Sequence, residues 1–294
     1  MRAATAIAGI PLGVPQLLRI AHCAVVALDE IGLVARVSRP GADAGRLKAE
    51  MAFARHVSDA GLPMLTPVEE IFDQPFETDH GAVTFRPLLH PVTDQFAWPW
   101  LAHTLKTLHR LPIREDLVPL WDPVGRIEER LARYSRRPDA RKEYVDVVLD
   151  ACSRARSIIV SVGATSRMGL IHGDPLNVIV TAAGPVLIDF DLAGVGPLEW
   201  DLVSVLIGHR RFRRPAAEID QFLQAYDVTH FQSQSFDDLL KAREWLDCSF
   251  ALSLVGVDPA AEDSSSYACV LCSSQTIVPS GHHCHRRDQL VSLR

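Results

Sequence analysis

Leu170-Ile171-His172-Gly173-Asp174-Pro175-Leu176-Asn177-Val178-Ile179-Val180, followed after Ala183-Gly184-Pro185 by Val186-Leu187-Ile188-Asp189-Phe190-Asp191, is the densest polar constellation in the chain. Three short aliphatic runs alternate with polar loops, and the Gly-Pro pair marks a turn between the second run and the third. Pairing Val178–Val180 with Val186–Ile188 as a hairpin sets Asn177 and Asp189 side by side at its open end, with Asp174 on the loop leading in. That donor set suits Mg²⁺, which takes one or two carboxylates or amides together with substrate phosphates, while a further carboxylate nearby can orient an attacking hydroxyl. Asp and Asn are also ordinary turn formers at strand ends, so the local spacing leaves both readings open.

Upstream, Ala24 to Leu28 and Leu33 to Val37 flank Asp29-Glu30-Ile31-Gly32 and read as a β-hairpin. Gly45 to Ala60 reads as a helix, with Leu47, Met51, Ala54 and Val57 on one stripe and Gly61 and Pro63 as its stop. Val68 to Phe72 and Ala82 to Arg86 are β-like runs that predict a second pair of strands. Residues 1–90 therefore form a small sheet lobe with one inserted helix. Glu50 falls on or beside the buried stripe, where a carboxylate needs a partner, and Arg36 on the preceding strand is the nearest candidate in sequence. A plain ion pair at the sheet edge would satisfy the same pattern.

Downstream the periodicity turns helical, with Leu101, Leu105 and Leu108 on one face, then Ile127, Leu131 and Tyr134, then Val145, Val148, Leu149 and Cys152. After the β-rich interruption, helical patterns resume from Glu199, at Ala216 to Tyr226 and at Phe236 to Leu252. Residues 91–261 thus form a larger, mainly helical lobe that holds the polar constellation, and 262–294 read as a poorly structured tail rich in Ser, His and Cys. Cys269-x-x-Cys272 with His282, His283, Cys284 and His285 supplies enough thiolates and imidazoles for tetrahedral zinc, although the spacing is only loosely finger-like.

The 294 residues are 48% hydrophobic and 22% charged, the range of an ordinary globular chain. A net charge of -6 argues against nucleic acid as a partner, which would call for a concentrated basic face. Gly9, Pro11, Gly13 and Pro15 interrupt the most apolar N-terminal stretch, so neither a membrane span nor a signal peptide is expected. Six cysteines in a chain of this length make no disulfide framework, and a reduced, cytoplasmic setting is the expectation.

Taken together these residues resemble the aminoglycoside phosphotransferase family, a branch of the protein-kinase-like fold, over roughly residues 20 to 255. His172-Gly173-Asp174 is similar to that family's catalytic-loop motif, Asp189-Phe190-Asp191 to its metal motif, and Gly196-Pro197-Leu198-Glu199-Trp200-Asp201-Leu202 to the segment that follows. The resemblance implies an α+β, two-lobed fold with a small antiparallel sheet lobe and a larger mainly helical lobe. ATP or GTP would bind between the lobes with Mg²⁺. It implies Asp174 as the catalytic aspartate, Asn177 and Asp189 as metal ligands, and Asp201 as a brace for the loop. It further implies Arg36 as the strand cation, Glu50 as its helix partner, and Phe85 and Leu88 in the hinge run Phe85 to Leu89 beside the purine.

The implied activity is transfer of a terminal phosphoryl group to a hydroxyl of a small molecule, with an aminoglycoside-like antibiotic as a candidate acceptor. Two departures stand out. Pro175 and Leu176 alone separate Asp174 from Asn177, where the family usually has four residues, and Ala21-His22-Cys23-Ala24 stands in the place of a glycine-rich phosphate loop. The short loop motivates an alternative, a catalytically degraded kinase-like protein that serves as a binding or regulatory module. Between Glu199 and Asp263 there are 12 acidic residues against six basic ones, which would suit a cationic acceptor if they lined a cleft and means little if they form a solvated surface.

Overall fold

A computed structural model describes residues 5, 6, 8–11, 13–20, 23–93, 95–114, 118, 120–212, 215–227 and 234–254, without the side chains of 208–212, 234 and 248–254. The Ser/His/Cys-rich tail with its zinc alternative, and Ala21 and His22 of the segment that stands in place of a glycine-rich loop, lie outside the described residues.

Four antiparallel strands form the small sheet in the order β1 (Gln16–Ile20), β2 (Cys23–Leu28), β3 (Leu33–Ser38), β4 (Val83–Pro87). The expected hairpin is β2–β3, in register from Cys23↔Ser38 to Leu28↔Leu33, and Gly32 closes it at φ 64°, a conformation glycine adopts without strain. Strand β1 carried no sequence expectation. It is a short, largely exposed edge strand whose register slips between Leu17 and Arg19, so its alternation is broken.

Helix α1 (Ala44–Asp59) starts at Asp43, whose side chain accepts from the Gly45 amide at 2.8 Å, and buries Glu50, Met51, Phe53, Ala54 and Val57. The strand expected over Val68 to Phe72 is not formed. Gln74 is the physical reason: its amide nitrogen donates to the Val68 and Ile71 carbonyls (3.0 and 2.9 Å) while its oxygen accepts from Phe85 N–H (2.6 Å). One side chain thus replaces a stretch of ladder, and the pairing with β4 shrinks to an isolated bridge, Phe76↔Val83. Leu28, Ala35, Ile71, Phe76, Val83 and Phe85 form a small core on this side of the sheet.

The larger lobe contains α2 (Trp98–Leu108), α3 (Pro123–Tyr134), α4 (Lys142–Gly163), α5 (Glu199–Phe212), α6 (Ala216–Tyr226) and α7 (Gln234–Leu254). Their apolar stripes meet in one core that includes Leu105, Val148, Trp200 and Leu239 and reaches up to Phe53 and Val57 of α1. Two antiparallel pairs are set into it: β5 (Met168–Ile171) with β8 (Gly194–Pro197), and β6 (Val178–Thr181) with β7 (Gly184–Leu187). Strand β8, two glycines and a proline in four residues, has no strand propensity of its own. Gly196 is there because a Cβ would sit 2.5 Å from Ile171 Cδ1 and 3.2 Å from Trp121.

The lobes join through backbone as well as side chains. Leu187 N–H donates to Pro63 O and Leu65 N–H to Leu187 O, both 2.9 Å, and Val92 N–H donates to Val180 O at 2.9 Å. No helix among the described residues is long and apolar enough to cross a membrane.

Candidate active site

Strand alternation decides which side chains reach the cleft. Arg36 lies directly across from Thr84 and Val34 from Arg86, so Arg36, Thr84 and Arg86 share one face and Phe85 takes the other. On that face Arg36 Nη1 donates to Glu50 Oε1 at 2.7 Å and Nη2 to Asp189 Oδ1 at 3.0 Å. Arg86, 2% exposed, places Nη2 on the same Glu50 oxygen at 2.7 Å. Burial would push the Glu50 carboxyl up, but the guanidinium groups of Arg36 and Arg86 outweigh it and hold the carboxyl below its usual range. The Arg36–Glu50 partnership expected from sequence is therefore formed, and Arg86 is a second cation that sequence reasoning missed.

Asp189 follows β7 with φ 68°, a left-handed backbone that turns its carboxylate toward Arg36 and sends Phe190 inward against Phe53 (5.9 Å between centroids) and His172 (5.1 Å). Its carboxyl is raised above the ordinary range, by desolvation first; Arg36 opposes this, while Asp191, Glu50 and Asp174 add to it. Asn177 lies across the same hairpin end, its carbonyl accepting from Ile188 N–H at 3.0 Å, which sets its backbone beside the residue preceding Asp189, while its Nδ2 turns to the Asp174 carbonyl. One amide, one carboxylate and surplus negative charge fit Mg²⁺, which completes its shell with water and phosphate. Among the described residues no group of three or more His, Cys, Asp or Glu side chains surrounds a metal position.

The loop from Asp174 to Asn177 closes as one tight turn: the Asn177 N–H and Nδ2 both donate to Asp174 O, at 3.3 and 3.0 Å. Asp201, fully buried, braces the approach as expected. Its Oδ2 accepts from His172 N–H (2.9 Å) and lies 3.0 Å from His109 Nε2, and its Oδ1 accepts from Gly173 N–H (2.7 Å). Gly173 has φ 84°, and a Cβ there would lie 2.1 Å from the Leu192 carbonyl, so any other residue collides with backbone. Asp174 is 8% exposed, and its Oδ1 accepts from Arg243 Nη2 at 3.0 Å.

Phe85 needs correcting as a nucleotide contact. It is fully buried in the sheet core, its N–H donates to Gln74 and its carbonyl accepts from Val68 N–H (3.1 Å), so neither ring nor main chain is open to a ligand. Leu88 lies at the strand's exit with its N–H donated to Gly32 O at 2.8 Å, which leaves its side chain and carbonyl for a ligand.

A cavity of about 420 Å³ opens between α1, α3 and the 190–193 loop. Asp43, Glu50, Asp122, Glu129 and Asp191 line it against Arg46 and Arg126. Arg46 pairs with Glu129 and Arg126 with Asp191, each at 3.1 Å. The lining comes from 43–53, 120–129 and 190–193, so the acidic residues counted between Glu199 and Asp263 form none of its wall.

A family model described as a phosphotransferase enzyme family matches residues 24–245. Solved structures with the same architecture include a choline/ethanolamine kinase family protein from Mesorhizobium loti, 15% identical, covering 100% of this chain and 98% of that one, with a TM-score of 0.59. An amicoumacin kinase in complex with AMP-PNP and Ca²⁺ is 17% identical over 91% of this chain and 90% of that one, with a TM-score of 0.63. An aminoglycoside phosphotransferase from Streptomyces rimosus is 16% identical over 83% of this chain and 95% of its own, with a TM-score of 0.58. No curated protein matches the sequence. The shared architecture is the kinase-like two-lobed fold, a small antiparallel sheet lobe against a larger helical one.

Proposed function

The chain belongs to the phosphotransferase enzyme family, and from that premise we propose that it moves the terminal phosphoryl group of ATP or GTP to a hydroxyl of a small, amine-bearing molecule. The observation that carries the proposal is the bridge made by Arg36, which joins Glu50 of α1 to Asp189 at the hairpin end and so gathers strand cation, helix carboxylate and metal-side carboxylate at one cleft. A module kept for binding alone would have no need of that set together with a braced Asp174, so the enzyme is favoured over the degraded module.

In this reading Asn177 and Asp189 hold Mg²⁺, which when bound would neutralise phosphate charge. Arg36, held through Nη1 by Glu50, would turn Nη2, which meets Asp189 in this structure, to a phosphate oxygen when nucleotide is bound. Asp174 accepts a hydrogen bond from the acceptor hydroxyl and aims its oxygen at phosphorus. The new bond joins that oxygen to phosphorus, the bond from phosphorus to the leaving diphosphate breaks, and the hydroxyl proton passes to Asp174 or on to water. Positioning and electrostatics account for such a rate, since the protein supplies little covalent chemistry.

The cavity beside α1 and α3 takes in none of Asp174, Asn177 and Asp189, and three of its five carboxylates are already paired with arginines, so the choice of acceptor rests on the relatives instead. Relatives in the fold are named for amicoumacin, aminopropanol and ethanolamine, all amine-bearing, which sets the panel to try. The test is a coupled ADP-release assay with Mg²⁺-ATP and Mg²⁺-GTP against aminoglycosides and small aminoalcohols, with Asp174→Ala alongside. Acceptor-dependent turnover that disappears in the variant is expected; turnover equal in the two proteins would overturn the assignment.

A further inference from the structure

Resting on the reading of Asp174 as the catalytic aspartate, we propose that Arg243, on helix α7, is a positioning residue that takes the place of the two residues missing from the catalytic loop. The shortened loop draws its main chain into a single turn, and the Asn177 amide that bonds the Asp174 carbonyl does nothing to fix the Asp174 carboxylate. Arg243 supplies that restraint from 69 residues away in sequence. Its Nη2 donates to Asp174 Oδ1 at 3.0 Å and its Nη1 to the Gly173 carbonyl at 2.9 Å, so one planar group sets the carboxylate against the backbone that carries it.

The fork is itself held on several sides. Arg243 Nε lies 3.1 Å from Asp247 Oδ1 one helical turn on, and the guanidinium carbon sits 5.5 Å from the centroid of Trp200. The Trp200 indole N–H donates to the same Gly173 carbonyl at 2.9 Å. Arg243 is 3% exposed, and a buried ion pair is a poor source of net stability compared with a well-packed apolar residue. Its position therefore points to geometry at Asp174. Lysine keeps the charge but, with one nitrogen, cannot span the Gly173 carbonyl and the Asp174 carboxylate in the same fixed way.

The experiment uses the full chain with Arg243→Ala and Arg243→Lys. Hydrogen exchange is read over 172–178, where His172 and Gly173 N–H are held by Asp201 and Asn177 N–H by the Asp174 carbonyl. Arg243→Ala is expected to speed exchange there about tenfold, with α4 at its native rate and Arg243→Lys in between. Exchange unchanged over 172–178, or raised equally through α4, would overturn the positioning role. On any acceptor that the wild type turns over, kcat should fall about 10²-fold in Arg243→Ala with KM for Mg²⁺-ATP within about twofold, and Arg243→Lys should recover part of it. A loss carried by KM, or no loss, would also overturn it. Should the wild type turn over no acceptor, the functional reading fails by itself, while the exchange arm still decides whether Arg243 holds the loop.

Discussion

Two carboxylates on one guanidinium, that of Arg36, answer pH with opposite signs. Asp189 is raised in the folded state by desolvation and by the carboxylates around it, so its ionisation works against folding above the ordinary aspartate range and the strain vanishes in acid. Asp189→Asn should therefore melt higher than the wild type at pH 7 without ligands, converge with it as the pH falls toward 4, and lose the metal-dependent part of nucleotide binding. Thermal melts across pH, with and without Mg²⁺-ATP, check both halves. Glu50 is lowered by Arg36 and Arg86, so its contribution is present above the ordinary glutamate value near 4.5 and is lost as pH falls through the lower folded value. Glu50→Gln should cost about 3–5 kcal/mol at pH 7, the range for breaking a buried pair, and progressively less in strong acid. Asp174, Asn177, Asp189, Arg36 and Glu50 were legible because hairpin and helix spacing place them. Arg86 and Arg243 were not, since their carboxylate partners lie 36 and 69 residues away and nothing local marks either arginine.

Among the elements, the loop 172–174 is tightened from three sides, by Asp201 at the start of α5, Arg243 of α7 and the Leu192 backbone. Gly173→Ala pushes a methyl group into the Leu192 carbonyl at a positive φ and should cost more than about 2 kcal/mol. Chemical denaturation reads that loss, and acceptor-dependent turnover should fall with it. Lengthening the turn by two residues between Pro175 and Asn177 should make Arg243 less necessary, shrinking the kcat penalty of Arg243→Ala from about 10²-fold to a few-fold. The helices were legible because their apolar residues recur at steps of three and four, and Ala216–Tyr226 matches its expected bounds. Strand β8 and the loop over Val68 to Phe72 escaped for opposite reasons. Glycines and a proline hide a strand that exists because β5 pairs with it, and an aliphatic run mimics a strand that Gln74 dissolves.

At the scale of the whole molecule, the division into sheet lobe and helical lobe followed from the change of period along the chain. How the halves dock did not, because it depends on pairings between 63–65 and 187 and between 92 and 180 that no local pattern announces. Ligand in the cleft between them should stabilise both: at a hundredfold excess over its Kd, Mg²⁺-nucleotide should add about 2.7 kcal/mol. A single melting transition that moves up with nucleotide checks this, and a transition indifferent to nucleotide would contradict a site shared by the lobes.

The pair of backbone bonds that stitches Leu187 to Pro63 and Leu65 has a mechanical consequence. They lie two residues from Asp189 and just past the end of α1, and act as a hinge pin: motion that keeps them is rotation about their line. Points near the pin barely travel, so the metal-side carboxylate keeps its register with α1. Strand β1, at the edge of the sheet farthest from β4, has the longest lever arm about that line, so any such rotation displaces it more than the strands beside it.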